Sequence, residues 1–290
     1  MLWVNLREEE FAPMLEQTNR VCAINIGCVE KHGQHLPLGT DTLEGSKILE
    51  LAAEREPVCV FPHLYFGDLQ GAQRFKENEQ HYGYIAFSAE LLLKMLREIC
   101  DEIGRNGFKR ILLFSSHGGN GPFLNNFLRA IRAEKKDYEV FYRFLDLIQP
   151  KHILAEIEKH GRDHFPTLTD EDIAVMEAYV AEGKYDGHGG FCESALLLGT
   201  HPELARLDRC EVESGLSKHV TDPMAKVGLS WGSGWSADYP NSYCGHAPVG
   251  LTQQIADLCV EMSVQSLVET LKVLKDDSIM NPIIAAGNRE

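Results

Sequence analysis

The apolar positions of the chain change period along its length. Val21 to Ile26 is a compact, largely apolar run that stops at Gly27, the pattern of a buried strand leading into a loop. Leu43 to Arg55 then carries Leu43, Ile48, Leu51 and Ala52 at roughly helical spacing and is closed by Pro57, after which Val58 to Phe61 predicts a second short strand. From Ser88 the amphipathic signal is clearest: Ser88 can cap, Leu92, Met95, Leu96, Ile99 and Ile103 share a face, and Gly107 ends the helix. Arg110 to Phe114 predicts a third strand that runs into Ser115-Ser116-His117-Gly118-Gly119-Asn120. Pro122 then opens a helix through Phe123, Phe127, Leu128 and Ile131, and Glu139 to Leu145 predicts a fourth strand. The pattern loosens through the polar stretch Lys151 to Thr169, and helix resumes around Asp172 to Ala181. Gly228 to Gly250, with Trp231, Trp235, Tyr239 and Pro240 among glycines, reads as an aromatic loop of the kind that covers sites, and Thr252 to Leu274 as a last long helix.

Strands separated by helices at these spacings predict an α/β fold with a mostly parallel sheet covered on both faces, whose ligands bind at the carboxyl ends of the strands. No linker divides the chain, so residues 1–290 are expected to form one domain with a loop-rich insertion near 228–250. Composition narrows the partners. With 28 Lys+Arg against 43 Asp+Glu the formal charge is −15, which repels polyanions and argues against nucleic acid and anionic membrane. Lys31, Arg74 and Lys184 are the local cations that could still meet an anionic substrate. The eight cysteines form no CxxC pair, Met1 to Arg7 lacks a secretion signal, and no apolar stretch approaches the ~18 residues of a membrane span. These features predict a cytoplasmic protein with free thiols.

The densest chemistry follows the first strand, in Glu30-Lys31-His32-Gly33-Gln34-His35-Leu36-Pro37-Leu38-Gly39-Thr40-Asp41. Imidazole nitrogen and carboxylate oxygen suit zinc, manganese and iron, and an Asp can bridge two ions about 3.5–4 Å apart. Glu30 and His32 share a face if the segment is extended, while Gly33, Pro37 and Gly39 let the loop fold Asp41 back. The plainer alternative leaves His32 and His35 on the surface, Glu30 and Lys31 solvated, and Asp41 as a helix N-cap. His117 lies just past the third strand in a Gly-rich turn where Asn120 can cap the next helix. By itself that is a capped turn with an incidental histidine, but a parallel sheet would bring it beside the first cluster. A third patch, Asp186-Gly187-His188-Gly189-Gly190-Phe191-Cys192-Glu193-Ser194, joins a flexible loop to a helix start, where Glu193 could simply be favoured in the first turn.

The first motif, the His-Gly-Gly-Asn after a strand, and the Gly-His-x-Gly with a Glu five residues beyond its His together resemble the creatininase (creatinine amidohydrolase) family. The resemblance spans Val21 to about Ala195, with a weaker echo in Asp238-Tyr239-Pro240-Asn241-Ser242. It implies a three-layer α/β/α hydrolase that cleaves small or unusual amides, with two divalent metal ions per chain: zinc, with manganese or iron as alternatives. It also implies a homo-oligomer, a hexamer in many members, and a small-molecule substrate. It makes Glu30, His32, Asp41 and His117 metal ligands with Asp41 as the bridge, Glu193 the remaining ligand and His188 the acid/base. His35 and Asn120 are expected behind the ligands, His35 orienting Glu30 or the loop.

The chain departs from creatininase proper at several points. Gly118 and Gly119 stand for a Tyr and a Glu, Ser115 for an Asn, and Lys184 for an aromatic residue four before the catalytic histidine. Tyr82-Gly83-Tyr84, after the polar stretch Gly67 to Gln80, replaces a Pro-Gly-Thr step. These changes leave metal chemistry in place and turn the expectation from creatinine to another cyclic or small non-peptide amide, bound beneath the Trp231 to Tyr243 loop. Two rivals are a non-catalytic metal-binding scaffold or assembly protein with a closed, saturated site, and a cysteine hydrolase using Cys28 or Cys192, which needs a depressed thiol pKa.

Overall fold

A computed structural model describes residues 1–69 and 82–288; Arg74 and the part of the Gly67 to Gln80 stretch from residue 70 onward lie outside the described residues. Its centre is a wholly parallel sheet of β1 (Val21–Ile26), β2 (Cys59–Val60), β3 (Arg110–Ser115) and β4 (Glu139–Phe144), in the order β2-β1-β3-β4. Every residue of β1 and β3 is buried, as expected of strands covered on both sides. Their side chains alternate between two cores. Val21, Ala23, Leu112 and Phe114 face one, and Cys22, Ile24, Ile26, Ile111 and Leu113 face the other.

The first core is closed by α2 (Thr40–Arg55), α7 (Phe191–Thr200) and α10 (Gln253–Lys275), with residues from α5 (Pro150–His160), α6 (Asp170–Ala181) and α11 (Asp277–Gly287). The second is closed by α1 (Glu8–Gln17), α3 (Ala89–Arg105) and α4 (Asn120–Arg132). The architecture is therefore three-layered. Within 228–250 the chain forms loops and the short helix α9 (Gly234–Asp238), preceded by α8 (Asp222–Ala225). Among the described residues no helix is long and apolar enough to cross a membrane, and the eight cysteines are free.

Local signals account for the element ends. Ser88 Oγ accepts from Leu91 N (3.3 Å) and caps α3, and Thr252 Oγ1 does the same for Ile255 N (3.3 Å) at α10. Thr252 Oγ1 also donates to Asp172 Oδ1 (2.5 Å), tying α10 to the first turn of α6. The buried Arg110 fastens the start of β3 to the ends of α10 and α11 through Leu274 O (2.9 Å), Asp277 Oδ1 (2.6 Å) and Asn281 Oδ1 (2.8 Å).

Topology then places the site. The chain leaves β1 through α2 toward β2 on one side, while β3 pairs with β1 on the other, with Ile26 opposite Ser115. Such a reversal opens a crevice at the carboxyl ends of the two strands. Both the Glu30 loop and His117 emerge there.

Candidate metal centre

The first motif is pressed against α2 by a close backbone approach. A Cβ at Gly27 would lie 2.3 Å from Thr42 Oγ1 and 2.5 Å from Thr42 N, so only glycine lets the end of β1 touch the first turn of α2. The helix starts at Thr40, three residues before the spacing of its apolar positions suggests, and its N-cap is Gly39. Asp41 is thus inside the first turn, with its side chain free to point at the loop. Behind β3, Ser115 Oγ bonds Ile26 O (3.2 Å) and His117 O (3.1 Å), and Ser116 Oγ bonds Asn25 Oδ1 (3.0 Å), so His117 is held against the neighbouring strand. Packing of α7 on α2 delivers Glu193 from the third motif.

These side chains converge. Asp41 Oδ1 lies 3.1 Å from His32 Nε2, and Asp41 Oδ2 lies 3.1 Å from His117 Nδ1. Glu30 Oε1 is 2.8 Å from His117 Nδ1 and 3.9 Å from His188 Nδ1, and Glu193 Oε2 is 3.6 Å from His32 Nε2. The rings of His32 and His188 lie with centroids 4.0 Å apart, tilted by 32°. Glu30, His32, Asp41, His117 and Glu193 are all buried, so none sits on the surface as an isolated loop residue would.

Each imidazole is held by a main-chain carbonyl on its far side: His32 Nδ1 by Glu30 O (3.1 Å), His117 Nε2 by Asp68 O (3.1 Å) and His188 Nε2 by Lys31 O (2.7 Å). A carbonyl only accepts, so those nitrogens carry the proton, and in the neutral ring the nitrogen facing the carboxylates presents a lone pair. Metal-binding histidines are oriented in this way. His117 Nδ1 is the clearest case, being buried and without a hydrogen bond despite its short contact with Glu30.

The electrostatics require positive charge. Burial works against the ionised form of Glu30, but His188 and His117 outweigh it and hold the carboxyl low; Asp41 is held low against burial by His32 and His117. Burial pushes Glu193 up, opposed by His32 and reinforced by Asp41. Burial would also lower His32 and His117, yet the carboxylates, Asp41 foremost for His32 and Glu30 for His117, raise both. Protons on imidazoles or divalent cations between the ligands satisfy the same demand. The oxygen and nitrogen donors fit divalent ions of the zinc and manganese type.

The supporting residues differ in detail from expectation. His35 Nε2 meets Gly189 O (2.9 Å) and Ser194 Oγ (3.0 Å) rather than Glu30, and burial pulls its pKa down to about 4, so it is a neutral strut between the first and third motifs. Gly189, at φ +71°, in turn donates its N–H to Glu193 Oε2 (2.6 Å). Asn120 does not cap α4; the N-cap is Gly119. Its amide instead accepts from Asp68 N (2.7 Å) and donates to Ile26 O (3.0 Å) and Ser115 Oγ (3.1 Å), fixing the residue whose carbonyl anchors His117. A Cβ at Gly119 would lie 2.5 Å from His117 Nε2 and 2.8 Å from Asp68 O, so the space for a side chain is taken by that anchoring bond.

Other groups stand out only in three dimensions. Trp235 is edge-on to His188, 5.3 Å between centroids, and the buried Tyr243 lies 5.3 Å from His35; sequence marked both only as aromatics of a covering loop. Lys184 pairs with Glu182 (3.0 Å). Cys28 Sγ lies against Asp41 and Glu30, and burial together with those carboxylates pushes its thiol up, the opposite of what a nucleophile needs. Burial and Asp186 do the same to Cys192. Glu44, fully buried one turn beyond Asp41, has neither oxygen hydrogen-bonded among the described residues.

Comparison with known proteins identifies the family and the fold. The family profile described as Creatininase: Creatinine amidohydrolase matches residues 5–271. Creatinine amidohydrolase of Pseudomonas putida is 24% identical over 207 residues, covering 69% of this chain and 72% of that protein. The mycofactocin precursor peptide peptidase of Mycobacterium tuberculosis is 30% identical over 136 residues, covering 42% of this chain and 50% of the peptidase. A crystal structure of creatininase superposes with a TM-score of 0.65 at 20% identity, over 93% of this chain and 96% of that one; other solved forms of creatininase, at TM-scores of 0.65 and 0.62, are described as a Zn-Zn type and as an Mn form.

Proposed function

The chain belongs to the creatininase family of hydrolases, and on that premise we propose that it cleaves a small amide C–N bond at a binuclear divalent metal centre. The observation that carries the reading is Asp41, whose two oxygens face different donor groups: Oδ1 faces His32 beside Glu193, and Oδ2 faces His117 beside Glu30. Glu30, Asp41 and His117 would hold one ion, and His32, Asp41 and Glu193 the other, zinc being the expected metal and manganese the alternative. Ions bound there supply Lewis-acid polarisation of the amide carbonyl and lower the pKa of water.

The side chains do the rest. His188 donates Nε2–H to Lys31 O and turns Nδ1 toward Glu30, so Nδ1 is the atom that takes up a proton from the attacking water and returns it to the departing nitrogen. Trp235 packs against His188 at right angles, 5.3 Å between ring centroids. His35 and Asn120 hold the loops in register without touching the reacting atoms. The two named relatives act on creatinine and on a precursor peptide, and amide cleavage is the chemistry common to both names. With Lys184 where creatininase carries an aromatic residue, the substrate read for this chain is a small amide other than creatinine.

The test is an activity screen of the zinc- and manganese-loaded protein over lactams, formamides, cyclic ureas and short peptides. Hydrolysis that is lost on chelation and restored by metal is expected. A fully metal-loaded protein that cleaves none of them would count against amide hydrolysis.

A further inference from the structure

Cys28 follows the glycine at the end of β1 and is completely buried, yet it is not packed among apolar side chains alone. Its Sγ lies 2.9 Å from Asp41 Oδ2 and 3.2 Å from Glu30 Oε1, the same two oxygens that approach His117 Nδ1 at 3.1 and 2.8 Å. Sulfur, two oxygens and one nitrogen thus lie within 4.8 Å of one another around a single focus. A thiol has one hydrogen. It can donate to one of the two carboxylate oxygens, which leaves the other sulfur–oxygen contact as lone pair against lone pair. The buried Nδ1 of His117, without a hydrogen bond of good geometry, is directed at the same point. A cation at the focus turns all of these contacts attractive. Zinc bonds sulfur at about 2.3 Å and nitrogen or oxygen at about 2.0–2.2 Å, which places neighbouring ligand atoms roughly 3–3.5 Å apart, close to the separations present.

We propose that Cys28 Sγ is a fourth protein ligand of the ion held by Glu30, Asp41 and His117. The inference rests on the metal-centre reading above and gives the two sites different chemistry. The site containing Cys28 selects a thiophilic ion such as zinc or cobalt(II) over manganese, whereas the group of His32, Asp41 and Glu193 offers only nitrogen and oxygen and does not discriminate in this way. Coordination releases the thiol proton to solvent, so the bound sulfur is a thiolate.

Cobalt(II) is the probe. The full-length protein is stripped with a chelator, reloaded with cobalt(II), and its metal content and absorption spectrum are recorded for wild type, Cys28→Ser and Cys28→Ala. The proposal predicts an intense near-ultraviolet sulfur-to-cobalt charge-transfer band in wild type that disappears in both variants, while the weaker visible cobalt bands remain. It also predicts that zinc-over-manganese selectivity, measured by competition, falls at least tenfold in Cys28→Ser. Cobalt bound by wild type without the charge-transfer band overturns the assignment of Cys28 and leaves the metal centre standing. A band that survives in both variants assigns it to another cysteine and also overturns the proposal. Failure of wild type to bind cobalt, zinc or manganese at all removes the metal centre itself.

Discussion

His117 Nδ1 stands 2.8 Å from Glu30 Oε1 and makes no hydrogen bond there. The far nitrogen of the same ring is committed to the carbonyl of Asp68, so Nδ1 faces Glu30 either with the second proton that the carboxylates favour or with a lone pair that needs a cation. Such a contact is stable only around a positive charge, whether a proton on the ring or a metal ion.

The anchoring of His117 depends on the absence of a side chain at Gly119. Substitution Gly119→Ala would put a methyl group 2.5 Å from His117 Nε2 and displace the ring or the Asp68 carbonyl. Loss of such an orienting bond typically weakens metal affinity about 10–100-fold. Titration of the apo-protein with zinc against a competing chelator measures the change; unaltered affinity would show that the Asp68 carbonyl does not orient the ring.

Removing the acid/base should separate metal binding from turnover. His188→Ala is expected to retain both ions and lose about 10²- to 10⁴-fold in kcat, the usual contribution of proton transfer by a positioned side chain. Metal analysis alongside steady-state kinetics on the screened substrate decides this. Loss of an ion in the variant would instead assign His188 to the metal.

Stability away from the centre has its own test at Arg110. Its guanidinium reaches Leu274 O, Asp277 Oδ1 and Asn281 Oδ1 from a buried position, so Arg110→Met removes three hydrogen bonds that tie β3 to α10 and α11, leaving Asp277 only its contact with Asn19 among the described residues. A loss of about 2–3 kcal/mol in urea unfolding is expected. A loss within about 0.5 kcal/mol, the range of an ordinary surface change, would contradict the clamp.

Stability also depends on pH through Asp172. Burial raises its carboxyl, but hydrogen bonds from the Thr252 hydroxyl and from the Thr169 backbone and hydroxyl outweigh that and hold it below its ordinary value. A carboxyl depressed in the folded state stabilises the protein above the unfolded pKa of about 3.9 and loses that contribution as pH falls through the folded value. Asp172→Asn should therefore cost about 1–2 kcal/mol at pH 7, with the gap to wild type narrowing below about pH 4. A gap that stays constant down to pH 3 in chemical denaturation would remove the ionised carboxylate from the explanation.

Much of the fold is legible in the sequence because its signals are local. Val21–Ile26 and Arg110–Ser115 are apolar runs whose composition suits strands buried on both faces, and Ser88 and Thr252 mark the helix starts they cap. Helices α1 and α11, by contrast, contain Pro13 and Pro282, residues that ordinarily argue against helix interior. Helix α5, apart from Pro150, lies in the polar stretch Lys151 to Thr169, where Ile153, Leu154 and Ile157 are too sparse an apolar face to stand out. At the centre, residue type and spacing mark three patches, and the family resemblance picks Glu30, His32, Asp41, His117, His188 and Glu193 out of them; the fold brings these six together. The partners of His35 and Asn120 lie far along the chain or on main-chain atoms, and no periodicity encodes those. Cys28 illustrates the same limit: its sequence neighbours show a thiol two residues before a glutamate, and only the folding back of Asp41 makes it part of a donor set.

The most direct measurement is elemental analysis of the purified protein beside Asp41→Ala, with circular dichroism to show that both are folded. Two equivalents of divalent metal per wild-type chain and loss of both from the folded variant are the predicted result. A wild type that binds none after reloading with zinc or manganese, or an Asp41→Ala protein that keeps its full complement, would contradict a pair of ions bridged by that carboxylate.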